Sequence, residues 1–333
     1  MRRTATPVVF TLLLATSLGC QCAKSPCSVV PAEGVGAEVC IPGRTFLMGH
    51  SRLPKPKVEP GVAYIAMPAN DWVGEHAVTL GPFLLDRFEV SWGQYLPCVE
   101  AGICSTSGLS VLPSTREALR RADMADRPAY GIRYAEAALF CAWSGRRLPN
   151  EAEWELAARG GDDRDYPWGS SLPSDSLLKA PTFYVADRRP STYPLPVGSQ
   201  ELDTSVDGIH DLFGSVPEWV ADWYDPFYYQ RSTATTAGPP LAVFIDRVHE
   251  YGEGNLVGAA GGRVVRGNRW NVSGGQGWDL ENRGAPVWFR EQMLPDFGVG
   301  FRCARDGDSE KFESKVGLYR NVTWKNLPQR RHP

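Results

Sequence analysis

The stretch from Ser144 to Gly169, SGRRLPNEAEWELAARGGDDRDYPWG, constrains the fold more than any other part of this chain. It encodes a helix whose two ends are written in side-chain chemistry. Asn150 is a strong N-cap residue, and Glu153, three positions on, can close a capping box. Trp154, Leu156 and Ala157 supply an apolar stripe. Gly160-Gly161 ends the helix, because glycine enters the left-handed conformation without a Cβ penalty. Tyr166-Pro167-Trp168-Gly169 then predicts a rigid aromatic turn.

Around this helix the chain reads as short elements separated by loops. Arg44 to Met48 is strand material, and Val78 to Leu85 is a strand or strand pair broken by Gly81-Pro82. Ser91-Trp92-Gly93-Gln94 is a second capping box; Pro97 falls inside the helix it starts and should kink or shorten it. Arg116 to Asp123 and Tyr134 to Trp143 read as helices, the latter ended by Gly145. Residues 51–73, 170–206 and 228–262 read as loops, and there is no internal repeat. The high content of Trp, Tyr, Gly and Pro fits a loop-rich fold with aromatic anchors, not a helical bundle. A net charge of −3 offers no basic field for nucleic acid.

The blocks CIPGRTFLMGH (Cys40 to His50), GEHAVTLGPFLLDRFEVSWGQYLPCVEAG (Gly74 to Gly102), RPAYGIRYAEAALFCAW (Arg127 to Trp143), DGIHDLFGSVPEWVADWYDPF (Asp207 to Phe227), RVVRGNRW (Arg263 to Trp270) and VGFRCAR (Val299 to Arg305) follow one another around the opening run. Together they resemble the formylglycine-generating enzyme, or sulfatase-modifying factor, family, in family order. The resemblance implies an α+β fold, a loop-rich variant of the C-type-lectin fold with short strands and a few helices. It places that domain at residues 39–306, after a signal peptide (1–19) and a tether (20–38), and before a C-terminal tail (307–333).

The leader reading rests on Arg2 and Arg3 ahead of the apolar run Val8 to Leu14, a secretory pattern too short for a standard membrane span. Ser17-Leu18-Gly19-Cys20 resembles a bacterial lipobox with Ser17 where leucine is usual, which makes Cys20 the lipid-bearing residue; the alternative is an ordinary signal peptide cut nearby. Either route takes the protein out of the cytoplasm, to the periplasm or cell surface, where thiols oxidise. Cys98 and Cys104 are near enough for a local bridge across Ala101-Gly102. The resemblance implies a long-range Cys141–Cys303 disulfide, whose loop closure contributes about 4–5 kcal/mol in the chain-entropy model. Cys22, Cys27 and Cys40 are left unassigned, with Cys27–Cys40 the pairing to test first.

Active members of the family, the resemblance implies, convert a sulfatase cysteine to formylglycine with oxygen and copper held by two cysteines just after the block matched by RVVRGNRW. Soft thiolates select Cu(I). Here Asn271 and Gln276 stand at those positions, and no cysteine occurs between Cys141 and Cys303. Copper is therefore not expected as a cofactor. Iron, used in a sister branch, finds no ligand pattern among His50, His76, His210, His249 and His332. The family also holds a structural calcium near the block matched here by Asp207 to Phe227, where Ser215 replaces an asparagine while Asp211, Glu218 and Asp222 supply hard oxygens. In the lectin-like fold the variable loops line a groove, which here would take in Trp270, Trp278, Arg283, Trp288 and Arg290. Two functions follow. One is an envelope-anchored binding or accessory module for an envelope protein or glycan; the other is a diverged family enzyme that does not use the copper–cysteine mechanism.

Overall fold

In a computed structural model of the chain, residues 36–49, 75–106, 116–171, 194–223, 263–267, 290–293 and 298–307 are described. Among these, three small antiparallel sheets and a set of short helices make an α+β fold. β1 (Glu38–Ile41) pairs with β4 (Phe83–Asp86), and β4 with β8 (Ala304–Asp306), so residues near both ends of the described chain share one sheet. β2 (Thr45–Met48) pairs with β3 (His76–Thr79). β6 (Arg263–Arg266) lies between β5 (Glu218–Trp223) and β7 (Arg290–Met293). The two strands flanking Gly81-Pro82 do not pair with each other; each joins a different sheet. The turns at Gly43 and Gly81 touch so closely that a Cβ on Gly43 would lie 2.6 Å from the Gly81 carbonyl carbon. Only glycine permits that approach.

β2 alternates exposed and buried residues, with Phe46 and Met48 facing inward, as a half-covered strand requires. All four residues of β4 are buried, as expected of a central strand packed on both faces.

α1 (Trp92–Glu100) begins with the capping box of Ser91 and Gln94. Pro97 lies inside it, as expected; the helix runs on to Glu100, and Ala101 donates its N–H to the Pro97 carbonyl at 2.9 Å. The hydrogen bond that proline forfeits is offset by tertiary contacts, since Cys98 and Val99 are buried and Cys98 is disulfide-bonded to Cys104. The segment expected to be one helix from Arg116 to Asp123 divides into α2 (Arg116–Leu119) and a 3-10 turn at Ala122–Met124. α3 (Tyr134–Trp143) ends before Gly145, whose φ of 76° turns the chain away. Cys141 of α3 is bonded to Cys303, next to β8. Cys40 is disulfide-bonded too, to a partner outside the described residues, where Cys20, Cys22 and Cys27 also lie.

α4 (Glu151–Arg159) carries both halves of its capping box: Glu153 N–H donates to Asn150 Oδ1 at 2.7 Å, and Asn150 N–H to Glu153 Oε2 at 2.9 Å. Gly160 closes it with φ 66°. The expected apolar stripe understates its burial, because every residue of α4 is buried, charged ones included. Tyr166 and Trp168 stack with ring centres 5.1 Å apart, and Phe213 meets both edge-on.

Asp86 closes β4 inside the protein. Burial raises its pKa to about 6, although the Arg146 guanidinium paired with it and the Cys303 N–H both pull downward. The folded state therefore keeps a proton that the unfolded chain has lost, and this stabilisation is full below pH about 4 and fades as pH rises through about 6. The swing is about 3 kcal/mol. Urea unfolding from pH 4 to 7 should show it within a fall to which buried Asp203, Asp211 and Glu89 also contribute, and Asp86→Asn should make that slope shallower without abolishing it. Separately, Asn150→Ala should cost about 1 kcal/mol by removing the N-cap of α4, read as a lower urea midpoint at unchanged m-value.

Candidate functional site

Asn271 and Gln276, expected at the positions of the reactive cysteines, and Trp270, Trp278, Arg283 and Trp288, expected in a groove, lie outside the described residues. Arg290 falls at the start of β7. What the structure shows is the floor from which that segment departs and to which it returns. Arg266, the last residue of β6, is in register with Arg290, the first of β7, and with Glu218, the first of β5. Both ends of the 268–289 segment are thus fixed side by side at one end of one sheet. Gly267 leaves that end at φ 82°, where a Cβ would lie 3.3 Å from the Leu212 carbonyl oxygen and 3.6 Å from the Trp154 ring.

The floor is ionic and dry. Arg266 reaches Glu151 at 3.0 Å and Glu155 at 2.8 Å, with all three side chains buried. Glu155 also accepts from Arg159 at 2.8 Å and from the Gly49 N–H at 2.8 Å. Burial alone would raise the Glu155 pKa, but Arg266 and Arg159 together hold it below the ordinary carboxylate range. Arg159 also donates to the Leu47 and Gly49 carbonyls, tying α4 to the end of β2.

A second buried centre lies beneath β5. Arg302 binds both oxygens of Glu218, at 2.6 and 2.7 Å, and donates to the His210 carbonyl at 2.9 Å. Trp154 Nε1 donates to the same Glu218 at 2.9 Å, so one carboxylate links α4, β5 and the Arg302 segment. Glu89, Asp203 and Asp211 feel the same guanidinium. Burial raises Asp203 to about 6. Burial, then Asp203, raise Asp211 to about 7. Glu89 is pushed well above the usual carboxylate range by burial, then by Asp211 and Glu218. These carboxylates act as backbone clasps: Asp203 accepts the N–H groups of Phe213 and Gly214, and Glu89 that of Val216. His210 is held below its ordinary pKa by burial and by Arg87 and Arg302, and its Nδ1 meets Thr204 Oγ1 at 3.0 Å.

Asp211, Ser215 and Glu218, the expected calcium set, are not arranged as one. Glu218 is taken by a guanidinium, Ser215 donates to Glu89 at 3.0 Å, and Asp211 accepts from the Gly198 N–H. Asp222 faces α4, accepting the Glu151 N–H at 2.7 Å. A cation against Glu218 would meet the charge of Arg302. Among the described residues no group of three or more His, Cys, Asp or Glu is placed to hold a metal. The residues as they stand do not fit a calcium ion. Ser215 also has φ 65°, a conformation in which asparagine is favoured over serine. Its hydroxyl bond to buried Glu89 helps offset that strain.

Every described cysteine (Cys40, Cys98, Cys104, Cys141 and Cys303) is in a disulfide, so none offers a thiolate. The described floor can position a loop and exclude water, but it presents no nucleophile–base pair.

The sequence matches the Sulfatase-modifying factor enzyme 1-like domain over residues 27–307. The chain belongs to that family. It is 26% identical over 333 aligned residues to a formylglycine-generating enzyme of Streptomyces coelicolor, covering 86% of this chain and 94% of that protein. It is 38% identical over 192 residues to the inactive C-alpha-formylglycine-generating enzyme 2 of Mus musculus, covering 55% of this chain and 51% of that one. The fold is similar to that of PvdO from Pseudomonas aeruginosa, with a TM-score of 0.51 and 23% identity over 83% of this chain and all of that one. The family's sequence blocks therefore coincide with the scaffold: the Val299 to Arg305 block supplies Arg302 and Cys303, and the Arg263 to Trp270 block supplies Arg266.

Arg266, Glu151, Glu155, Arg159 and Arg302 were not singled out by motif reading. Glu151, Glu155 and Arg159 do repeat at a spacing of four, which places them on one helix face. That face would ordinarily be read as solvated. Arg266→Met should strand buried Glu151 and Glu155 and destabilise by about 3–5 kcal/mol. Adding Glu155→Gln should restore part of this loss in denaturant unfolding, as coupling within one network requires.

Proposed function

We propose that this protein is a binding or accessory module of the sulfatase-modifying factor family, without formylglycine-generating activity. The observation that carries this reading is the cysteine distribution. No cysteine lies between Cys141 and Cys303, both of which are spent in one disulfide, and Asn271 and Gln276 occupy the reactive positions. Neither the asparagine nor the glutamine carboxamide can supply the thiolate that such chemistry needs. The similarity to a mouse relative described as inactive supports the same reading, whereas similarity to formylglycine-generating enzymes supports the scaffold alone.

In this reading the domain spans residues 39–306, adopts a C-type-lectin-like variant, and presents Trp270, Trp278, Arg283, Trp288 and Arg290 to its ligand. Aromatic and arginine side chains are the usual anchors of such surfaces. Cys20 is lipidated and the 20–38 tether holds the domain at the envelope, where the ligand is an envelope protein or a glycan. The second reading, a diverged family enzyme, is favoured by the buried ion pairs that fix Arg266 at the start of the 268–289 segment.

Incubating the purified protein with a sulfatase peptide, with copper supplied, should yield no formylglycine by mass spectrometry. Metal analysis of the same sample should find copper and iron well below one equivalent. Peptide turnover would overturn the main proposal, and stoichiometric iron or copper would favour the second reading.

A further inference from the structure

Arg263 differs from the other guanidiniums of the interior. Arg159, Arg266 and Arg302 are each buried against a carboxylate. Arg263 is half-buried against two aromatic rings instead. Its guanidinium carbon lies 3.6 Å from the centre of the Trp223 ring and 4.1 Å from that of Tyr134. The arrangement follows from the fold. Trp223 is the cross-strand partner of Arg263 at the end of the β5–β6 pair, and Tyr134 opens α3. Tyr134 is itself held edge-on by Trp219, whose Nε1 donates to the Ile132 carbonyl.

The polar edge of Arg263 is only partly used. Nη1 donates to the Ala221 carbonyl at 2.7 Å, and among the described residues Nε and Nη2 have no hydrogen-bond partner. Asp222, the nearest acidic neighbour in charge terms, turns one carboxylate oxygen to the Glu151 N–H on the α4 side. The consequence is electrostatic. Where Arg147 and Arg302 are raised by their carboxylates, burial draws Arg263 below the ordinary arginine range. A guanidinium that has lost hydration without gaining an anion gains more than an exposed one when an anion arrives.

We propose that the Tyr134–Arg263–Trp223 stack is an oxyanion seat, in which the Nε–Nη2 edge of Arg263 takes two oxygens of a carboxylate, phosphate or sulfate group. That edge matches such groups in geometry, through two parallel N–H···O bonds. The rings hold the guanidinium plane in place, so little freedom is lost when the anion docks. The seat uses no residue of the Asn271–Gln276 segment and serves a binding module or an enzyme equally, so it stands whichever reading of the function holds.

The test uses the full chain labelled with 15N-arginine, following the Nε–Hε signals while acetate, phosphate and sulfate are titrated separately at ionic strength fixed with chloride. The Arg263 signal is the one lost in Arg263→Lys. It should shift saturably with at least one oxyanion at a midpoint of about 1–10 mM, while the Arg159, Arg266 and Arg302 signals stay in place. The tightest of the three arms names the group. Trp223→Leu should weaken that midpoint about two- to fivefold by removing one face of the bed. Should Arg263→Lys not fold, a single saturable signal displaced by Trp223→Leu supports the proposal equally. An Arg263 signal that does not move, or one that drifts linearly like exposed Arg120 and Arg121, overturns it.

Discussion

The structure depends on how one buried helix keeps its charges. α4 has no exposed residue, yet it carries Glu151, Glu155 and Arg159 into the interior. A carboxylate removed from water without a partner costs several kcal/mol, more than a typical domain can spare. Arg159 neutralises one charge from within the helix, and Arg266 of β6 must supply the other. That need sets the position of β6 against α4, and through β6 the sheet it centres. It also fixes where the 268–289 segment begins, because that segment follows directly on Arg266 and Gly267.

The second centre is coupled to the first through Trp154, which packs in the interior by its ring and donates to Glu218 by its nitrogen. Glu218 in turn orients Arg302, and the neighbouring Cys303 is bonded to α3. Non-local pairs thus fasten segments far apart in the chain, such as Arg305 with Glu38 and Arg44 with Asp207. In a fold with strands of three to six residues, ladder hydrogen bonds alone could not hold these segments together. Buried carboxylates that accept backbone N–H groups replace regular structure between residues 196 and 216.

Local chemistry explains what was legible in the sequence. The Asn150–Glu153 capping box, the glycine stop at Gly160 and the extent of α3 depend on neighbours within a few positions, and each appears in the structure as read. Pro97 could be placed inside α1 from the sequence, but not what offsets its cost, because that compensation is tertiary, in buried Cys98 and its bridge to Cys104. The ionic floor was not legible for a related reason. Glu151, Glu155 and Arg159 form an i, i+4 pattern that also describes a solvent-facing helix, and only their pairing with Arg266, more than a hundred residues on, distinguishes the two. The same holds for Asp211, Ser215 and Glu218: their types suit a hard cation, whereas the structure pairs Glu218 with Arg302, Ser215 with Glu89 and Asp211 with the Gly198 N–H.

This division of labour bears on which positions the scaffold depends on. Arg266 and Arg290 stand in register at the two ends of the 268–289 segment, and the carboxylates that fix Arg266 belong to α4. Once the ends of a loop are pinned, the closure entropy depends only weakly on what lies between them. The described ion pairs of Arg266 run to Glu151 and Glu155 and include neither position 271 nor position 276. By contrast, Glu151, Glu155, Glu218, Arg266 and Arg302 cannot change singly without stranding a buried charge.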